Sequence, residues 1–273
     1  MTGKVLLLLS GAETRIAQAL RERGHTLAIM DADPQAPAFA FADSCLIADV
    51  WRPDDCAAAA ERYSRKIRRL DGVVCACDAP MTAASISARL RLPGLALHVA
   101  ELANDRLLTR RAFASAGVAA PWHAEIFTPQ ELQRAIIARG RDLTLKSVEK
   151  LGPATELRLI TVDDPAATFQ EVRALSPSER VLVELAKDPL LVPAFILSGR
   201  CHMRGDEDVR ALVERAASAI GISDGPVVAE ITRGDGGPQL VELAPRLAPA
   251  GEFLDAAVRL ACGEGVSADN MNI

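Results

Sequence analysis

Two glutamates and an arginine toward the C-terminal end carry the strongest chemical pattern in the chain. Glu230 and Glu242 lie near the ends of two short apolar runs, Val227 to Thr232 and Gln239 to Leu243, separated by Arg233-Gly234-Asp235-Gly236-Gly237. Glycine and aspartate in that separator favour the positive φ angles of a hairpin turn, so the two runs read as partnered antiparallel strands. Facing positions of a hairpin bring side chains close together. Two carboxylates placed that way suit Mg²⁺, a hard cation that takes oxygen ligands together with phosphate oxygens of a substrate. Arg246, four residues beyond Glu242, carries a planar donor fork able to clamp a phosphate or a carboxylate. The same spacing also fits two glutamates on the solvated face of an ordinary hairpin, and the residue types alone leave both readings open.

The elements that must position these groups follow from the apolar pattern. Lys4 to Leu9 is a continuous apolar run bounded by Gly3 and Ser10-Gly11, as expected of a strand buried on both faces of a parallel sheet. A helix over Ala12 to Arg23, closed by Gly24, and a strand over His25 to Met30 complete a β-α-β unit. Ser44 to Ala48 and Gly72 to Cys77 read as two further strands, with helices over Pro53 to Leu70 and Met81 to Leu90. Alternating strands and helices predict a doubly wound parallel sheet with ligands favoured at the carboxyl ends of its strands.

From Leu97 the rhythm changes. One helix is expected over Ala100 to Ala116, stopped by Gly117 and by Pro121. Strands near Ala124 to Phe127, Leu143 to Lys146, Leu157 to Thr161, Val181 to Leu185 and Val192 to Leu197 follow, with helices opening at Thr128 and spanning Pro165 to Leu175 and Asp206 to Ile220. The expected organisation is an α/β domain over 1–98 and an α+β domain over 99–273.

Composition narrows the function classes. A formal charge of −5 argues against a general binder of nucleic acid, which needs a concentrated basic face. Aromatic residues are only 4%, too few to build stacking platforms for single strands. The opening apolar run is far too short to span a bilayer, so no membrane association is expected. Six cysteines without a C-x-x-C pair read as small buried hydrophobes in a reducing, cytoplasmic compartment. The four histidines have neither metal-ligand spacing nor a paired nucleophile. A dinucleotide oxidoreductase is disfavoured because Ser10-Gly11-Ala12-Glu13 follows the first strand where G-x-G-x-x-G is required.

Beyond these readings, Gly225-Pro226-Val227-Val228-Ala229-Glu230, the glycine turn, and Leu240-Val241-Glu242-Leu243-Ala244-Pro245-Arg246-Leu247 resemble the closing motif of ATP-grasp enzymes. In that family a glutamate, then glutamate-x-asparagine-proline-arginine, hold Mg-ATP. Gly251 to Leu254 and Ala257 to Gly263 resemble the tail of bacterial L-amino-acid ligases. Asn104-Asp105-Arg106 through Pro121-Trp122 is similar to the entry of the ATP-grasp domain in the ATPase subunit of phosphoribosylaminoimidazole carboxylase, and Asp71 to Val74 to the preceding domain. The resemblance covers nearly the whole chain. It implies a pre-ATP-grasp domain followed by an ATP-grasp domain, with Mg²⁺ on Glu230 and Glu242 and Arg246 as the catalytic arginine. It also implies that Arg106 and Lys146 contact ATP phosphates and that the segment of Glu184 and Ala186 holds adenine. The implied reaction is amide formation through an acyl phosphate, with a small carboxylic or amino acid and an amine as substrates. Related folds are often homodimers.

Several positions depart from the family pattern. Ala244 replaces a metal-binding asparagine, and Ser147 to Thr155 contains a single glycine where a glycine-rich flap covers the phosphates. Leu190, Leu191 and Val192 stand where a ribose-binding glutamate is expected, and the stretch around 199–206 is short. These departures support an alternative, a homologue that kept the fold and lost catalysis, binding a nucleotide or metabolite or serving as a partner subunit.

Overall fold

The structure, a computed structural model, describes residues 3–140, 142–150, 156–159, 164–185, 188–234, 236–268 and 271. Its first layer is built from β1 (Val5–Leu9), α1 (Thr14–Glu22), β2 (Thr26–Asp31), β3 (Ser44–Ile47), α2 (Pro53–Lys66), β4 (Gly72–Cys75) and α3 (Pro80–Leu90). The four strands pair in the order β3-β2-β1-β4, all parallel. Leu6 to Leu9 and Leu27 to Met30 are fully buried, because α1 covers one face and α2 with α3 the other. Coverage on both faces is why these strands read as unbroken apolar runs. The outermost strand is different: Cys45 on β3 is exposed, against the expectation that the cysteines are buried, whereas Cys56 and Cys201 are buried.

The single helix expected over Ala100 to Ala116 is two, α4 (Leu97–Asn104) and α5 (Arg106–Ser115). Asp105 adopts an extended conformation between them, caps α5 by accepting from Leu108 N at 2.8 Å, and forms an isolated antiparallel bridge with Glu149. An aspartate is neutral to poor inside a helix but a strong N-cap, since its carboxylate satisfies an amide that the first turn leaves open. The break brings the two backbones together: Arg106 N donates to Val148 O at 2.9 Å and Lys150 N to Asn104 O at 3.1 Å.

The next elements are β5 (His123–Ile126), α6 (Pro129–Arg139), β6 (Leu143–Ser147), β7 (Glu156–Arg158), α7 (Pro165–Leu175) and β8 (Val181–Leu185). They form an antiparallel sheet in the order β5-β8-β6-β7. A third sheet follows from β9 (Leu190–Leu197), β10 (Arg200–His202), α8 (Glu207–Ile220), β11 (Gly225–Gly234) and β12 (Gly237–Ala244), in the order β10-β9-β11-β12. The short strand β10 was not legible in the sequence. It pairs back on β9 through Ser198 and Gly199, both at positive φ as a two-residue hairpin requires. One face of this sheet, with Ala194, Val227 and Ala229, packs on α8 and on Phe113 of α5.

Residues 1–98 and 99–273 remain our proposed division of the chain. Packing crosses it: α9 (Leu254–Ala261) lies with β1 and α1 in one apolar cluster that also takes Phe195 of β9. Gly72 permits this approach, since a Cβ there would stand 2.9 Å from the Ala261 carbonyl oxygen. No helix among the described residues is long and apolar enough to cross a membrane.

Asp105 supplies the cap of α5 and also accepts from Arg180 Nη1 at 3.3 Å. Asp105→Ala is expected to lower stability by about 1 kcal/mol, read as a shift of the urea unfolding midpoint. An unchanged midpoint would remove the cap as the reason for the helix break.

Candidate functional site

The cleft between the two antiparallel sheets is closed at its base by a buried ionic cluster. β6 and β8 run antiparallel with Thr144 opposite Glu184, so Lys146 and Glu184 are diagonal neighbours on one face. The Lys146 Nζ lies 2.9 Å from Glu184 Oε1. Arg110 of α5 donates from Nη2 to Glu184 and from Nη1 to the Leu240 carbonyl at 2.9 Å. Glu184 is 2% exposed on an interior strand, not on an edge. Arg106, one helical turn before Arg110 on the same face, places Nε 3.4 Å from Glu242 Oε2 and donates from Nη1 to Ser147 O at 3.0 Å. Lys150 Nζ is 2.6 Å from Glu242 Oε1 and 3.1 Å from Asp78 Oδ2. Among the described residues, four buried cations thus face three carboxylates.

A β-bulge sets the orientation of Glu242. The hairpin begins with Gly234 opposite Gly237, and an unbroken register would set Glu230 against Val241 and turn Glu242 toward the apolar face of Ala229. The register shifts between Glu230 and Ile231, so Glu230 stands opposite Glu242 instead. One extra residue moves the carboxylate from the core face to the cleft face.

The charges perturb one another. Burial alone raises the Glu242 carboxyl, but Lys150, Arg106 and Lys146 outweigh it and hold it well below the ordinary carboxylate range. Burial likewise raises Glu184, and Arg110 with Lys146 bring it below its usual value. Asp78 goes the other way: burial raises it, Lys150 lowers it, and the nearby Glu242 raises it again. Burial lowers Lys150, yet Asp78 and Glu242 together leave it raised and charged.

Of the residues expected from the sequence, Arg106, Lys146, Glu184 and Glu242 meet here, and Glu230 is the register partner of Glu242. Arg246 does not line this cleft; it lines a separate cavity beside β4 and donates to the Leu247 carbonyl at 3.1 Å. Ala186 lies outside the described residues. Three members were missed. Arg110 is buried whereas its neighbour Arg111 is exposed, and the i, i+4 spacing of Arg110 from Arg106 was the available signal. Asp78 sits just past the carboxyl end of β4, where a parallel sheet favours ligands, and that too was legible. Lys150 lies in an irregular segment and had no signal.

No family model matches the sequence, and no curated protein matches it. Solved structures do. An L-amino acid ligase from Bacillus licheniformis superposes with a TM-score of 0.72 at 18% identity, over 96% of this chain and 75% of that one. A carboxyaminoimidazole ribonucleotide synthase from Aspergillus clavatus, solved with ATP, gives 0.72 at 14% identity over 98% and 79%. The chain has the ATP-grasp fold. A phosphoribosylglycinamide synthetase from Anaerococcus prevotii is similar at a TM-score of 0.62 and 18% identity, over 96% of this chain and 76% of that one. Within the ATP-grasp fold the ionic cluster occupies the cleft between the two antiparallel sheets.

Glu184→Gln leaves Arg110 and Lys146 buried without their shared carboxylate, and is expected to cost about 3–5 kcal/mol in urea unfolding at neutral pH. Glu184 and Glu242 both titrate below the ordinary 4.5 in the folded state. Their stabilisation is therefore complete above that value and is lost as pH falls through the folded values. Asp78, raised instead, contributes the opposite slope. Wild-type protein should lose unfolding free energy more steeply than Glu184→Gln as pH drops below 4.5; equal slopes would remove Glu184 as a source.

Proposed function

We propose that this chain is an ATP- and Mg²⁺-dependent carboxylate–amine ligase that forms an amide through an acyl phosphate, on a small carboxylic or amino acid. The observation that carries the reading is the cluster itself: four buried cations, drawn from α5, β6 and the segment after it, gathered in a cleft of the ATP-grasp fold. Buried guanidinium and ammonium groups in a dry site suit a polyanion far better than exposed ones do.

The residues present fit the phosphates of ATP. Lys146, Arg106 and Lys150 would offset phosphate charge, with Glu184 and the segment of Ala186 toward the adenosine. For Mg²⁺ the hard oxygen donors are Glu230 and Glu242, opposite each other on one face. Bound there, the ion would neutralise charge on the phosphates during transfer. The described residues contain no group of three or more His, Cys, Asp or Glu side chains placed to hold a metal, consistent with Ala244 standing where an asparagine ligand is expected. Two protein ligands plus phosphate oxygens and water remain an ordinary Mg²⁺ shell.

In the proposed reaction a carboxylate oxygen attacks the γ-phosphorus of ATP, the bond to the β-phosphate oxygen breaks, and ADP leaves. An amine then attacks the acyl carbon, phosphate departs, and the amine proton is lost to solvent. Arg246, whose guanidinium has no carboxylate partner among the described residues, would hold the carboxylate of the acid. The protein is expected in the cytoplasm, without nucleic-acid or membrane partners, and as a homodimer.

A specific observation favours the second reading, a silent homologue. The space among Arg106, Lys146, Lys150, Glu184 and Glu242 is only about 10 Å³, because protein carboxylates already pair with the cations. Phosphate entry therefore requires Lys150 and Arg106 to exchange Glu242 for phosphate oxygens.

Calorimetric titration with ATP, with and without Mg²⁺, separates the two. Micromolar Mg²⁺-dependent binding together with amino-acid-dependent ADP release is the ligase outcome, and Glu242→Gln should then abolish ADP release even in protein that circular dichroism shows to be folded, at a stability cost like that of Glu184→Gln. Unchanged turnover in that variant would exclude the metal role, and absence of ATP binding would favour the silent homologue.

A further inference from the structure

β4 ends in a pair of thiols. Cys75 is its last residue, and Cys77 follows after Ala76. Ala76 N still donates to Leu9 O at 3.2 Å, so the bonding to β1 continues past the end of the strand. Residues two apart along extended backbone present their side chains to the same side. Such a spacing sets Cα atoms about 6.6 Å apart, at about 3.3 Å per residue, inside the span of about 4.4–6.8 Å that a disulfide bridges.

The two side chains meet. Cys75 Sγ lies 3.1 Å from the Cys77 carbonyl oxygen and 3.9 Å from that of Ala79, so it folds over the residues that follow it. The thiols hydrogen-bond each other, and both are free. That bond holds the Cys75 thiol below its usual range against burial, which raises it; the same bond and burial push Cys77 well above. One sulfur is thereby the readier thiolate, the nucleophilic form of cysteine, and the other is its protonated neighbour.

Cys75 also borders open space. It lines a cavity of about 460 Å³ beside β4, between α3, α9, the start of β11 and the turn after β12. That volume falls in the range of about 300–1,000 Å³ typical of small-molecule sites. The buried thiols elsewhere are unlike it: burial pushes Cys56 up to about 11 and Cys201 up to about 12.

We infer that Cys75 and Cys77 are a site of reversible disulfide formation, by exchange with a low-molecular-weight disulfide that enters through this cavity. The Cys75 thiolate attacks one sulfur of the reagent, whose S–S bond breaks and releases a first small thiolate. Cys77 then gives up its proton to solvent, its sulfur attacks Cys75 Sγ, and the second small thiolate leaves. The protein loses two electrons and two protons, and the reagent is reduced to two thiols. Asp78, next in the chain after Cys77, pairs with Lys150 at 3.1 Å. Closing the bond draws Cys77 toward Cys75, whose carbonyl is held by Leu247 N at 2.9 Å, and moves Asp78 off the ionic cluster. A loop this short constrains the unfolded chain little, so strain in the folded state decides the sign and the oxidised protein is the less stable. Neither ATP nor the ligase reading enters.

The test is mass mapping of the full chain after exposure to 2-hydroxyethyl disulfide at neutral pH, alkylation of the remaining thiols and digestion with trypsin. Residues 70–89 form one tryptic fragment with both thiols and no other cysteine. It should be recovered unalkylated and two hydrogen masses lighter than the dithiol, and dithiothreitol should restore it. Exposed Cys45 should carry a reagent adduct, which shows that exchange has run. Cys77→Ser should instead keep an adduct on Cys75, and Cys75→Ser should slow reaction at Cys77 by at least about tenfold. The urea midpoint of oxidised wild-type protein should lie below that of the reduced form, with no shift in Cys75→Ser. A fragment alkylated at both thiols while Cys45 carries its adduct, or bearing two adducts in place of the bridge, would overturn the site; equal midpoints would overturn its link to Asp78.

Discussion

Lys150 and its two carboxylates tie the molecule together. The lysine follows β6, Glu242 belongs to the hairpin of the third sheet, and Asp78 comes from the end of β4 in the parallel layer. Each charge is too costly to bury alone, so none of the three segments can shift independently of the others. Arg106 joins the same carboxylate from the head of α5, and Arg110 with Lys146 repeats the arrangement around Glu184. Charge thereby holds the cleft together alongside the buried apolar contact of Leu107, Val148 and Leu182.

That constraint explains features that local preferences do not. The helix over residues 97 to 115 breaks at Asp105 so that Arg106 can start a new helix pointing into the cleft. The hairpin carries a bulge because a regular ladder would drive Glu242 into the apolar face. Both irregularities sit within a few residues of the cluster, and both exchange regular backbone bonding for the placement of a charge.

Two cavities differ in character. One is small and crowded with paired charge; the other, beside β4, is roomy and largely apolar. Under the proposed ligase function the cleft would admit a phosphate by exchanging protein carboxylates for ligand oxygens, which would make occupancy sensitive to the ionic balance of the cluster.

The sequence by itself determined the layers. Unbroken apolar runs at Leu6 to Leu9 and Leu27 to Met30 require coverage on both faces, and the glycine-rich separator before Gly237 requires a hairpin, because these are local consequences of burial and backbone freedom. Family resemblance also pointed to Arg106, Lys146, Glu184 and Glu242, and the structure brings these four side chains together. Tertiary structure alone decided which charges meet. Lys150 lies in an irregular segment, Arg110 looks like its solvated neighbour Arg111, and Arg246 sits four residues from Glu242 yet borders a different cavity. Such partnerships depend on three-dimensional approach between segments as far apart as Asp78 and Glu242, and on a single bulge residue that reverses which way a side chain faces. Neither leaves a periodic trace in the chain.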